Sequence, residues 1–145
     1  MLKGKLIHPQ ILSALASAGH GSTILIPDGN YPFETGANPL AERVYLNLAP
    51  GNVTVTDVLE AVLSATPIEA AQVMARHDGA EPSIYAEFRR LLPDDVALTP
   101  LERFAFYDEA RKGDCCLVIA TGEQRVYANI LLTIGVVDPP PEQAV

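Results

Sequence analysis

Hydrophobic positions along this chain follow two spacings in turn. From Pro9 to Ala18 the apolar residues Ile11, Leu12, Leu15 and Ala18 recur at helical intervals, and Gly19 follows as a natural stop. Thr23 to Pro27 is instead a short unbroken apolar run, the pattern of a buried strand. Residues 33–42 mix glycine, proline and asparagine and read as a loop. Arg43 to Leu48 reads as a strand. A helix capped by Thr54 or Thr56 runs on to Ala65, with Val58, Leu59, Val62 and Leu63 apolar. Glu69 to Ala75 has the composition of a strand, and Ser83 to Leu92 returns to helical spacing at Ile84, Phe88, Leu91 and Leu92.

The strongest local signal is TPLERFAFYDEARKG. Thr99 and Glu102 have the spacing of a capping box, with Pro100 at the first helical position, Lys112 in the last turn and Gly113 as the stop. Arg103 and Tyr107 lie one helical turn apart and share a face, while Phe104 is expected to pack inward. Cys115 to Gly122 then reads as a buried strand, and Gln124 to Ile134 as a turn and a further strand. Helices alternating with short apolar strands predict an α/β fold, a mixed β-sheet with helices on both faces in three layers. No internal repeat or linker interrupts it. Residues 1–137 are therefore expected to form a single domain, and the proline-rich 138–145 a loose tail.

Size and composition support a globular reading. The chain has 145 residues, 48% hydrophobic and 19% charged, enough to build one core without staples. Its net charge of −8 repels phosphate backbones and anionic lipid, so nucleic acid and membrane are poor partners. The two cysteines, Cys115 and Cys116, are adjacent. They cannot staple distant segments, lack metal-ligand spacing, and read as buried small side chains on opposite faces of a strand. MLKGKLIHPQ has no apolar core of a secretory signal, and no apolar run approaches a membrane span of roughly 18 residues. The expected location is the cytoplasm.

Candidate chemistry is sparse. Gly19-His20-Gly21 follows a helix instead of opening one, so it is no phosphate loop. No nucleophile elbow is present, and the histidines His8, His20 and His77 show no ligand spacing. His8 reads as a helix cap and His77 as a solvated loop residue. His20 stands out because its glycine neighbours permit turns that aim the ring outward at a sheet edge, where open α/β folds place ligands. A lone histidine is nonetheless more often a surface residue than a catalyst. Asp28 in DGN is ordinary turn chemistry, and Arg103, Tyr127 and Asn129 have equally plain readings as helix and strand residues.

Taken together and in order, these residues resemble a known family. AGHGSTILIPDGNYP, RFAFYDEAR and TGEQRVYANILLTIGV are similar to three motifs of the ribose pyranase / fucose mutarotase family, and the opening MLKGKLIHPQILSAL also fits. The resemblance spans nearly the whole chain. It implies an enzyme that interconverts anomers of a free monosaccharide, with L-fucose favoured because Arg103 matches the fucose branch. It further implies His20 as the catalytic acid, sugar binding by Asp28, Arg103, Tyr127, Ala128 and Asn129, and no cofactor or metal. A homo-oligomeric ring, a decamer or pentamer, would carry the pocket at a subunit interface. Ala128 stands where the family carries glycine, and a left-handed backbone there would strain it. A D-ribose pyranase, a non-catalytic sugar-binding module associated with uptake, and a structural ring protein are the alternative readings.

The implied chemistry suits these residues. Opening and reclosing a hemiacetal moves one proton to the ring oxygen and one from the anomeric hydroxyl. That requires an acid–base group and no redox step, and imidazole is the side chain best matched to neutral pH. Orientation falls to acceptors (Asp28), donors (Arg103, Asn129) and the mixed surfaces of Tyr107 and Tyr127, while for Tyr31 and Tyr107 contact with a sugar face and core packing are equally open readings. Eight extended residues span about 26 Å, so His20 and Asp28 of one chain are not expected to form a dyad.

Overall fold

The structure, a computed structural model, describes residues 1–143. The expected tail residues Ala144 and Val145 lie outside the described residues, and Pro141–Gln143 form a single 3-10 turn. The ten principal elements are α1 (Pro9–Ser17), β1 (Thr23–Ile26), β2 (Glu42–Tyr45), α2 (Val55–Leu63), β3 (Ile68–Met74), α3 (Ile84–Leu91), β4 (Leu98–Leu101), α4 (Arg103–Ala110), β5 (Cys115–Ala120) and β6 (Ile130–Ile134). The strands form one mixed sheet in the order β2-β5-β1-β6-β3-β4. Only β6 runs against its neighbours, pairing antiparallel with β1 and β3, while the β1–β5, β2–β5 and β3–β4 pairs are parallel. The carboxyl ends of five strands therefore open on one edge of the sheet, and their amino ends on the other.

Side-chain alternation builds a core on each face. Ile24, Ile26, Leu117, Ile119, Ile130 and Leu132 pack with α1, α2 and α3. Leu25, Met74, Val118 and Leu131 pack on the opposite face with Phe106 and Ala110 of α4 and with Tyr31, Ala37 and Ala41 of the long loop. This is the three-layer arrangement expected from the alternation of elements. A bulge lies in β5, where Thr23 pairs with Cys115 but Ile24 pairs with Leu117. It lets Cys115 face one core while Leu117 and Ile119 face the other. Cys116 packs against the α1–α3 side, so the cysteines do point apart.

Caps follow the sequence in two places. His8 caps α1, its Nδ1 accepting the Ile11 N–H at 3.5 Å. Thr54, not Thr56, caps α2 in a reciprocal box with Asp57, both bonds at 3.2 Å. The box expected at Thr99 does not form. Leu98–Leu101 instead pair parallel with Ala71–Met74 as an edge strand, where Pro100 is tolerated. The helix starts later, at Arg103, and Glu102 caps it with its own carboxylate, accepting from Phe104 and Ala105 N–H at 2.9 and 3.2 Å. It ends at Ala110 with Arg111 as C-cap, short of Lys112 and Gly113. Phe104 is also corrected. It is 65% exposed, and the buried face is set by Phe106 and Ala110, one turn apart. β2 ends at Tyr45, before the expected Leu48.

Candidate functional site

The carboxyl edge carries the chemistry. Asp28 follows β1, Met74 ends β3, Arg103 opens α4, and Tyr127 and Asn129 precede β6. Together with Asn30, Tyr31, Tyr107 and Val126 they line one cavity of about 380 Å³. That volume falls among small-molecule sites, which run roughly 300–1,000 Å³. Two larger clefts, of about 530 and 550 Å³, lie beside the 47–50 and 121–124 loops and beside α1. Neither gathers a buried carboxylate, a guanidinium and tyrosines, so the smaller cavity is the better candidate.

The position of Asp28 is set by backbone. Its N–H donates to Asn129 Oδ1 at 2.7 Å, and its Oδ1 accepts from Asn30 N at 3.0 Å. Gly29 N–H donates to the Glu123 carbonyl at 2.8 Å, and the Thr121 hydroxyl donates to the Pro27 carbonyl at 2.7 Å. The 121–123 loop thus cradles the turn. A Cβ at Gly122 would fall 2.3 Å from the Ala49 carbonyl oxygen, so only glycine fits this approach. Burial pushes the Asp28 carboxyl above its ordinary value, and the nearby Glu123 charge adds to that. Backbone N–H groups of Asn30, Ala128 and Tyr31 pull the other way. The result is a sheltered acceptor at the wall of the cavity.

Around it, donors and aromatic surfaces alternate. With Asn129 Oδ1 occupied, one side of its amide faces the Met74 sulfur at 3.8 Å. Its second amide hydrogen remains for a ligand. The Arg103 guanidinium lies 5.7 Å from the Tyr107 ring centroid, the shared face read from the sequence. Tyr31 is buried, its hydroxyl donating to the Gly36 carbonyl at 2.6 Å, and its ring centroid is 5.3 Å from that of Tyr107. Its phenol is raised above the ordinary range by burial. Tyr31 and Tyr107 therefore supply both core packing and cavity wall.

Ala128 does not carry the strain its position implied. Tyr127 is the residue with left-handed backbone, at φ 60°. Ala128 is fully buried in the α1–α3 core, so it contributes backbone and packing beside the cavity instead of a lining side chain.

His20 is elsewhere. It precedes β1 on the amino edge of the sheet, and the extended run Thr23–Ile26 separates it from Asp28. Its ring lines no part of the 380 Å³ cavity. Its edge is also the opposite of the one where α/β sheets place ligands. The side chain is 59% exposed, and Nε2 lies 3.0 Å from both carboxylate oxygens of Glu69. Glu69 stands near the start of β3, 49 residues away, and no local signal marked it. Met74 also lines the cavity, and as an ordinary strand end it carries no sequence signal; Asn30 lines it from within the first of the three motifs. His77 is exposed, as a solvated loop residue should be, but its Nδ1 is 3.5 Å from the Tyr127 hydroxyl.

The arrangement defines a candidate small-molecule site, a largely apolar cavity with a few convergent polar groups, on an α/β sheet whose candidate proton carrier lies on the far edge. Residues 1–137 match the RbsD / FucU transport protein family, and the chain belongs to that family. A fucose mutarotase of Danio rerio is 32% identical over 157 residues, the match covering 99% of this chain and 98% of that protein. The crystal structure of a fucose mutarotase from Streptococcus pneumoniae in complex with L-fucose is 29% identical, with a TM-score of 0.77 over 91% of this chain and 95% of that one. Bacillus subtilis RbsD, solved with D-ribose, shares the fold at 24% identity, with a TM-score of 0.81 over 95% and 100% of the two chains.

Proposed function

We propose that this chain is a cofactor-independent sugar mutarotase, acting on L-fucose or a related monosaccharide. The observation that carries the reading is the cavity at the carboxyl edge. It joins a buried carboxylate, an amide, a guanidinium and tyrosines, the mixed donors and acceptors that hydroxyl-rich rings need. The near full-length likeness to fucose mutarotases supports the reaction and the sugar class. Asp28 accepts from sugar hydroxyls, Arg103 and Asn129 donate to them, and Tyr127 and Tyr107 close the walls. His20 carries the proton between the anomeric and ring oxygens.

His20 and the cavity lie on opposite edges, so the reading requires a second copy. One protomer's amino edge meets the next protomer's carboxyl edge. Such a head-to-tail contact is heterologous and gives a ring when its rotation closes. Exposed apolar residues support contact there: Val126 in the cavity wall and Phe104, whose ring centroid is 6.4 Å from that of the cavity residue Tyr107. The ring is a pentamer or a decamer in this reading. Residues 1–137 are the working domain and 138–145 a tail. No described helix is long and apolar enough to cross a membrane, and the reading places the enzyme in the cytoplasm.

Saturation-transfer NMR between sugar anomers tests the activity directly. Wild-type protein should accelerate exchange of fucose above ribose and galactose, and His20→Ala should not. Co-expressed His20→Ala and Asp28→Asn chains should recover about one quarter of wild-type sites by random assembly of a head-to-tail ring. No acceleration by wild type rejects the mutarotase; no recovery in the mixed protein rejects the shared site.

A further inference from the structure

The loop after β3 carries chemistry that this mechanism leaves unused. Met74, the last residue of β3, lines the cavity, and the chain then turns outward through Arg76, His77 and Asp78. The turn is pinned from within. Arg76 Nε donates to Asp78 Oδ1 at 2.9 Å, and the same oxygen accepts the Ala80 N–H at 3.0 Å. The Arg76 contact holds the Asp78 carboxyl well below the usual carboxylate range.

Two side chains of this turn reach Tyr127. The Arg76 guanidinium lies 6.0 Å from the Tyr127 ring centroid, and His77 Nδ1 lies 3.5 Å from the Tyr127 hydroxyl. Tyr127 needs support. At φ 60° it has a backbone that non-glycine residues adopt only when their surroundings hold it. Its ring is half-buried, Val126 beside it is exposed, and its hydroxyl is paired, among the described residues, with His77. A phenol that swings freely at a cavity mouth loses rotamer entropy when a ligand fixes it. An imidazole that already holds it removes part of that cost.

We propose that His77 is a positioning residue of the sugar site, holding the Tyr127 hydroxyl at the cavity mouth in its ligand-binding orientation. The contact is a long hydrogen bond, with Nδ1 accepting the phenol proton when the imidazole carries its own proton on Nε2. The loop after β3 is then a wall of the site, supplied by the same protomer as Asp28, Arg103 and Asn129. The proposal rests on the mutarotase reading, because the orientation of Tyr127 matters only if a sugar lies against it.

The test is steady-state anomer exchange of L-fucose by wild type, His77→Leu, His77→Asn, Tyr127→Phe and the double variant His77→Leu/Tyr127→Phe. His77→Leu should raise KM about 2- to 10-fold, the range one hydrogen bond supplies, with kcat changed less than about twofold. His77→Asn, which keeps a polar atom near the Nδ1 position, should restore most of the loss. In the Tyr127→Phe background His77→Leu should add nothing, because the hydroxyl through which it acts is gone. An unchanged KM in His77→Leu, a kcat-only loss, or penalties that multiply in the double variant would each overturn the proposal while leaving the mutarotase reading standing. A wild-type protein inert toward every sugar would overturn both.

Discussion

Glu123→Ala is the perturbation whose magnitude the structure sets most directly. Glu123 is only 4% exposed, and its carboxylate accepts from Val55 N at 3.3 Å and from Arg125 N, Nε and Nη2 at 3.0 Å each. It thus ties the 121–125 loop to the first turn of α2, while Arg125 reaches on to Glu87 of α3 at 2.6 Å. Removing the carboxylate orphans the buried Val55 N–H, a loss of about 1–3 kcal/mol. It also breaks an ion pair that would count for roughly 3–5 kcal/mol if fully buried. Arg125 is about one-third exposed and keeps Glu87, so the pair must be discounted for solvent. The net expectation is a destabilisation of about 2–4 kcal/mol.

Urea denaturation measures it. The midpoint should fall by roughly 1–2 M with the slope unchanged, at about 2 kcal/mol per molar urea. The sign of the pH dependence follows from the ionisation of Glu123. Burial opposes its charge, but the bonds to Arg125 and to the Val55 N–H outweigh burial and hold the carboxyl below its ordinary value. Its contribution is therefore fully present above the unfolded-state value and is lost as pH falls through the folded one. The gap between wild type and variant should close in acid. The same loop carbonyl receives the Gly29 N–H, so the variant should also bind sugar more weakly. A loss under about 0.5 kcal/mol, the size of an ordinary surface change, would refute the clamp.

Asp28→Asn separates stability from binding. Burial raises the Asp28 carboxyl, so ionising it opposes folding, and stability falls as pH rises from the ordinary value through the raised one. Asparagine keeps an acceptor for the Asn30 N–H, so the variant should melt higher than wild type at neutral pH while losing sugar affinity. Calorimetry across pH and a titration with fucose read the two effects, and a lower Tm at neutral pH contradicts the electrostatic account. Ala128→Gly tests where the local strain lies. With the left-handed residue at Tyr127 and Ala128 fully buried, glycine should destabilise by about 1 kcal/mol, and a gain in Tm would return the strain to position 128.

Much of the fold was readable because burial leaves a local trace. TILI and CCLVIA are apolar runs because each is covered on both faces, and α2 announces itself through a threonine cap and the apolar spacing of Val58, Leu59 and Val62, with the structure choosing Thr54 over Thr56. The start of α4 was misread because a capping-box spacing competed with a strand pairing. The partner of that pairing, Ala71–Met74, lies far back in the chain, and tertiary pairing won. The inward face of RFAFYDEA was equally undecidable. Aromatic residues at 104, 106 and 107 point in different directions, and only packing against β3 selects Phe106.

The site was legible as a set of residue types but not as a place. Asp28 and Asn129 meet across 101 residues because β1 and β6 are adjacent, a fact of topology that no window of sequence carries. The same topology sends His20 away from them. A straight β1 cannot end and begin at one point, so a residue before it and a residue after it occupy opposite edges. The imidazole is nevertheless held, since Glu69 braces its Nε2 from β3 in the open. A surface contact of this kind adds little stability, so its value to the isolated fold is small. In the proposed reading the contact aims a solvent-facing ring outward from the amino edge. An outward ring on one edge and a cavity on the other are the two halves that the proposed head-to-tail contact would bring together without any further residue.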